Sequence, residues 1–186
     1  KIYAPKGVGM LYIRRGLRLP PFLAGGGQEK ARRAGTENVP FIAGYARAFE
    51  LAVAEMESSS ERLSSMRDEM IAKILARIPH CRLNGHPTQR LPGNVNISFD
   101  YIEGESMLLL LDSMGYECST GSACTSGSLE PSHVLLAVGL PHEQAHGSLR
   151  ISLGKFNNRE EIDPFVEALA QVVQRLREMS PLYKAE

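Results

Sequence analysis

Ser148-Leu-Arg-Ile-Ser-Leu153 alternates polar and apolar side chains. After a short polar gap, Ile162, Phe165, Val166, Leu169, Val172, Val173 and Leu176 recur every three or four residues. The first period is that of a half-buried strand and the second that of an amphipathic helix. Two helix starts compete. Asn158 with Glu161 fits a capping box but leaves Pro164 inside the helix, whereas Asp163 as cap puts Pro164 at the first position. Upstream, Val95, Ile97 and Phe99 alternate after the Pro92-Gly93 turn, and Glu103 to Met114 reads as a short helix stopped by Gly115. Tyr116 to Ser119 reads as a short strand entering a loop. Leu63, Met66, Met70, Ile74 and Ile78 keep helical spacing, as do Ile42, Ala46, Phe49, Val53 and Met56, with a break expected at Ser58-Ser59-Ser60 between them. Residues 8 to 14 form an apolar, strand-like run between Gly7 and Gly16, and residues 16 to 40 form a long exposed connection. Strands alternating with helices, with no internal repeat, give an α/β or α+β fold class.

The chain has 186 residues, 43% hydrophobic and 23% charged, the balance of an ordinary globular protein. Lys plus Arg is 21 and Asp plus Glu is 21, so no net charge draws it to nucleic acid or anionic lipid. The apolar runs, such as Met107 to Leu111, are far shorter than the ~20 residues of a membrane span. Three cysteines without a CxxC pair argue against a disulfide framework or a structural zinc site and for a cytoplasmic location. The first residue is Lys1 rather than Met, which reads as a carboxy-terminal piece of a longer protein.

Ser119-Thr-Gly-Ser-Ala-Cys-Thr-Ser-Gly-Ser128 is the most informative stretch for chemistry. Ser, Thr and Gly offer Cys124 nothing to bury it, so its thiol is expected to be reachable, as a nucleophile or redox centre. Cys81 and Cys118 are expected to be small packed hydrophobes. His142-Glu-Gln-Ala-His146 matches the H-E-x-x-H zinc pattern, but Pro141 and Gly147 leave under two turns, and a short polar surface helix is the plainer reading. Arg150 lies within an apolar strand, where a guanidinium is expected to meet a carboxylate if buried, or to form a surface salt bridge if outward-facing. Gly25-Gly-Gly27 with Arg32, Arg33 and Thr36 offers backbone amides, guanidinium groups and a hydroxyl to a phosphate, although a Gly-rich turn alone is weak support.

Taken together, Lys1-Ile-Tyr-Ala-Pro-Lys-Gly7, Gly25-Gly-Gly-Gln-Glu29, Arg33-Ala-Gly-Thr-Glu-Asn38, Gly121-Ser-Ala-Cys-Thr-Ser-Gly-Ser-Leu-Glu-Pro-Ser-His133 and Leu149-Arg-Ile-Ser-Leu-Gly154 closely resemble the group I cysteine desulfurases of the NifS/IscS type. The likeness runs from residue 1 to Pro181 and begins at the family's Schiff-base lysine. It implies the carboxy-terminal part of a fold-type I, homodimeric transferase that uses pyridoxal 5'-phosphate. Such enzymes convert L-cysteine to L-alanine and hold the sulfur as a persulfide for iron–sulfur cluster assembly. By the same resemblance, Lys1 matches the lysine that binds the cofactor covalently, and Thr36 the threonine that reaches the partner subunit's cofactor phosphate. Cys124 matches the persulfide cysteine, and Arg150 the arginine that grips the substrate carboxylate.

The resemblance also implies an organisation. Residues 1–60 would be the closing portion of the large cofactor domain plus a linking helix. Residues 61–186 would be the small carboxy-terminal domain with the Cys124 loop. The part of the family sequence that precedes the lysine, with most of the phosphate cup, has no counterpart in these 186 residues, so this piece alone is expected to be inactive. Expected partners are L-cysteine and an iron–sulfur scaffold or another sulfur-acceptor protein. Two rivals accompany this reading: a non-catalytic sulfur-relay or scaffold-binding module, and a zinc hydrolase acting through His142 and His146.

Overall fold

The computed structural model describes residues 1–121 and 131–183. The chain divides into two compact units, Lys1–Glu57 and Ser58–Glu186.

In the first unit, α1 (Gln28–Ala31) is a single irregular turn with left-handed backbone at Glu29 and Lys30. The longer α2 (Val39–Ala54) starts where the sequence supplies a cap: Asn38 Oδ1 accepts from the Phe41 N–H at 3.4 Å, with Pro40 in the first turn. Residues 8–14 do not form the expected strand. Among the described residues no strand pairs with them, and Met10, Leu11 and Tyr12 stay exposed. A β-rich run makes a strand only when a second backbone satisfies its N–H and C=O groups.

The expected break at Ser58-Ser59-Ser60 is also absent. α2 ends at its cap Glu55, and α3 (Met56–Arg77) runs straight through the serines. Serine's weak helix preference amounts to a few tenths of a kcal/mol per residue. The same helix buries Met66, Met70, Ile71 and Ile74, each worth about 1.5–3 kcal/mol, so burial decides.

The second unit is built on a three-stranded antiparallel sheet in the order β1 (Cys81–Leu83), β2 (Asn94–Phe99), β3 (Ser148–Ser152). The register sets Ile97 opposite Leu149 and Val95 opposite Ile151, so one face is apolar. That face carries the core, formed with Met66, Met70 and Ile74 of α3, Met107 and Leu111 of α4 (Gly104–Ser113), and the stripe of α7 (Ile162–Met179). The other face is polar. It places Asn96 opposite Arg150 and Ser98 opposite Ser148. Two short helices, α5 (His133–Ala137) and α6 (His142–His146), and the link between them carry a second small cluster of Leu135, Leu140 and Ala145.

β1 was not expected from the sequence. Tyr116 to Ser119 is no strand, only a single bridge at Ser119. Neither expected start of the last helix holds in full. A 3-10 turn over Arg159–Glu161 follows Asn158, and α7 begins at Ile162. Pro164 then falls in the first turn, where an N–H would have no intrahelical acceptor, so its missing donor does no harm.

The far end of α7 is tied to the sheet by Arg177, which is 3% exposed. Its guanidinium donates to the carbonyls of Pro79 at 2.8 Å, His80 at 2.8 Å and Asp100 at 3.3 Å, and lies 5.5 Å from the centre of the Tyr183 ring. His80 and Tyr101 beside these carbonyls have φ of 50° and 73°, a strained choice for non-glycine residues. Arg177→Ala is therefore expected to destabilise the protein by at least about 3 kcal/mol, read as a lower urea midpoint, because three carbonyls lose charge-assisted donors.

Candidate active site

Arg150 stands at the middle of β3, on the polar face. Its neighbours Leu149 and Ile151 turn into the core, which fixes the direction of the guanidinium by alternation. The residue is half-buried, and among the described residues no carboxylate pairs with it. Among the described residues, neither the buried ion pair nor the surface salt bridge expected from the sequence is present. A half-buried guanidinium without an acceptor among the described residues is suited to a carboxylate that arrives from outside.

Beyond β3, Ser119 extends the sheet by one bridge. The Arg150 N–H donates to the Ser119 carbonyl at 2.6 Å, and the Ser119 N–H to the Arg150 carbonyl at 3.1 Å. The segment that leads to Cys124 is thus attached to the backbone of Arg150 itself. Cys124 lies outside the described residues, with the rest of 122–130.

The other two cysteines are packed against the core, as their surroundings in the sequence suggest. Cys81 Sγ donates to the Ile78 carbonyl at 3.0 Å, and burial pushes its thiol above the ordinary value. Burial pushes the Cys118 thiol up to about 11. Both are protonated at neutral pH and poor nucleophiles. Cys118 borders a cavity of about 480 Å³ with Tyr116, Ile151 and Phe165, but Arg150 does not line it.

Lys1 and Thr36 belong to the first unit and are exposed, and among the described residues neither side chain has a hydrogen-bond partner. The glycine-rich connection is closed on itself. The Ala34 N–H donates to the Leu23 carbonyl at 3.2 Å, the Gly35 N–H to Gln28 Oε1 at 3.2 Å, and Arg33 to the Ala34 carbonyl. Arg33 is thereby engaged locally, while the Thr36 hydroxyl just beyond this closure is left open. An amine and a hydroxyl without hydrogen-bond partners among the described residues are the donor chemistry that an aldehyde-bearing phosphate cofactor requires, so Lys1 and Thr36 of the first unit fit such a group.

His142 and His146 sit exposed on the five-residue α6, and among the described residues no group of three or more His, Cys, Asp or Glu is placed to hold a metal ion.

The model of the aminotransferase class-V family matches residues 1–165. The chain belongs to the aminotransferase class-V family. Its curated relatives include the cysteine desulfurase IscS of Methanosarcina thermophila, 58% identical over 182 residues, covering 98% of this chain and 45% of that protein. The cysteine desulfurase IscS 1 of Archaeoglobus fulgidus is 53% identical over 183 residues, covering 98% and 48%. This class-V chain therefore spans a little under half the length of these relatives. Among solved structures, a NifS-like protein superposes with a TM-score of 0.82 at 34% identity, over 94% of this chain and 44% of its own. A NifS-like protein from Rickettsia africae gives a TM-score of 0.75 at 28% identity, over 85% and 41%. These likenesses bear out the resemblance and the expected fold class, an α/β chain with an α+β small domain that is part of a fold-type I transferase.

Sequence reasoning did not single out Ser148 or Ser119 as site residues. Ser148 is fully buried and donates toward Ala145 and Thr120, and Ser119 supports both Arg150 and Gly121. The available signal was the alternation Ser148-Leu-Arg-Ile-Ser152, which puts Ser148 and Arg150 on one face.

Proposed function

We propose that this chain is the carboxy-terminal half of a pyridoxal 5'-phosphate-dependent cysteine desulfurase, acting as a cytoplasmic homodimer. In this reading residues 1–60 are the closing portion of the large domain with a linking helix and residues 61–186 the small domain, which the compact units Lys1–Glu57 and Ser58–Glu186 support. The observation that carries it is Arg150, a half-buried guanidinium without a carboxylate partner among the described residues, hydrogen-bonded through its backbone to the segment that leads to Cys124. The relatives' identity across the whole chain supports the same reading.

Lys1 would hold the cofactor covalently and Thr36 would hold its phosphate. When bound, the cofactor supplies an electron-withdrawing ring that weakens bonds at the substrate amino acid. Arg150 takes the substrate carboxylate in a two-point grip and so orients the cysteine side chain. The Cys124 thiolate forms an S–S bond to the substrate sulfur while the substrate's Cβ–S bond breaks, and Cβ takes up a proton. Cysteine and one enzyme thiol become alanine and one enzyme persulfide, with no external oxidant or reductant. The persulfide then passes its outer sulfur to an acceptor protein, in this reading a scaffold for iron–sulfur clusters.

The test is the full-length protein with pyridoxal phosphate and L-cysteine. One alanine per sulfur delivered to a thiol acceptor, and a mass gain of one sulfur on the peptide containing Cys124, are expected. Sulfur binding without alanine would instead indicate a relay module.

A further inference from the structure

The chain enters the segment bearing Cys124 through Ser119, Thr120 and Gly121, and four separate contacts converge on those three residues. The Ser119 backbone is paired with Arg150 through two hydrogen bonds of 2.6 and 3.1 Å. Ser119 Oγ donates to the Gly121 carbonyl at 3.0 Å. Ser148 Oγ lies 2.8 Å from the Ala145 carbonyl and 3.2 Å from the Thr120 carbonyl. Gly104, the first residue of α4, has no room for a side chain: a Cβ there would lie 2.7 Å from the Ser148 carbonyl oxygen, 2.9 Å from that of His146 and 2.8 Å from Thr120 Cγ2.

Ser148 is central to this arrangement. It is 0% exposed, and its hydroxyl has one proton facing two carbonyls. The shared proton joins the α6–β3 corner to the root of the Cys124 segment. Such a hydroxyl is retained at a buried position only where its hydrogen bonds are met, and here both acceptors are carbonyls that bracket the site.

We propose that Ser148 is a positioning residue that, with Ser119, fixes the point where the chain bearing Cys124 leaves the sheet relative to the Arg150 guanidinium. The proposal rests on the reading of Arg150 as the substrate anchor and Cys124 as the sulfur acceptor. From Gly121, three residues span at most about 10–11 Å, so the position of Gly121 limits where the thiol can meet a substrate held by Arg150. Ser148 touches neither reactant. It acts through the backbone of residues 119–121.

The experiment uses the full-length, cofactor-loaded protein and compares Ser148→Ala, Ser119→Ala and Ser98→Ala. Ser98 is a control matched for chemistry: it is also 0% exposed, lies opposite Ser148 in the sheet, and accepts from Asn84 Nδ2 at 2.8 Å, away from residues 119–121. Ser148→Ala is expected to leave cysteine affinity, titrated by cofactor absorbance, within about twofold. Its single-turnover rate of alanine formation should fall roughly 10- to 100-fold, the scale of a small misplacement of reacting groups. Ser119→Ala, at a half-buried position that tolerates the change, should show the same split with a smaller fall, and it decides the matter if Ser148→Ala does not fold. Ser98→Ala should keep both affinity and rate. An unchanged rate in Ser148→Ala and Ser119→Ala, or an equal loss of rate in Ser98→Ala, overturns the proposal. Absence of alanine formation by the wild-type protein would overturn the functional reading instead, and the two failures are separable by that one measurement.

Discussion

Arg150→Lys in the full-length, cofactor-loaded protein is expected to weaken cysteine binding roughly 5- to 150-fold, about 1–3 kcal/mol, with cofactor affinity nearly unchanged. Lysine keeps the positive charge but loses the planar fork that meets both oxygens of a carboxylate. The position makes that loss matter. Arg150 is half-buried on a rigid strand, with Leu149 and Ile151 locked into the core on either side and its backbone bonded to Ser119. A lysine there cannot shift its anchor to recover the second hydrogen bond. No acidic residue among the described ones competes for the guanidinium. Titrating cysteine against the absorbance of the bound cofactor measures the effect, and an unchanged affinity would return Arg150 to the role of an ordinary sheet residue. Because β3 keeps its backbone pairing, the thermal midpoint should move little.

The legibility of this fold in its sequence followed the periodicities. β3, β2 and α7 lie where alternation and the three-four spacing put them, since each buries one whole face against the core, and burial is what the periodicity records. The failures are of another kind. Residues 8–14 read as a strand because their composition is apolar, but a strand is a relation between two backbones and composition names only one of them. The serines at 58–60 read as a break, but their local preference is weaker than the burial of Met66, Met70, Ile71 and Ile74 on the same helix. β1 was invisible because Cys81–Leu83 is too short to show a period. Arg150 was legible as an odd charge in an apolar strand, yet that no carboxylate among the described residues pairs with it appears only when the neighbouring elements are in place. Ser148 was not singled out by the sequence, because its burial depends on α6 covering that side of the sheet, where Arg82 of β1 reaches Gln144 of α6 at 3.2 Å.

Cys124→Ser should abolish sulfur extraction while leaving the steps that precede it. Cofactor binding, in the proposed assignment, belongs to Lys1 and Thr36, and substrate docking to Arg150, so the cofactor spectrum and its response to added cysteine should persist. Alanine formation should fall by at least about 10³-fold, the scale of loss when a nucleophile is removed, because a serine hydroxyl is a weak nucleophile at neutral pH and cannot hold a persulfide. Chemistry at the two described cysteines supports assigning the role by elimination. Cys81 has its thiol held up by burial and donates to the Ile78 carbonyl, and Cys118 is pushed up to about 11. A thiol so raised is protonated through the neutral range, and its thiolate fraction grows tenfold per pH unit only as pH climbs toward that value. Cys118→Ser and Cys81→Ser are accordingly expected to lower stability by roughly 1 kcal/mol and to retain most of the turnover. Alkylation by iodoacetamide at pH 7.5, followed by peptide mapping, should label Cys124 long before either of the others. Persulfide sulfur found on Cys118, or alanine formed at the wild-type rate by Cys124→Ser, would overturn the assignment of the thiol. Either result would leave the Arg150 titration standing as an independent measure of where the substrate binds.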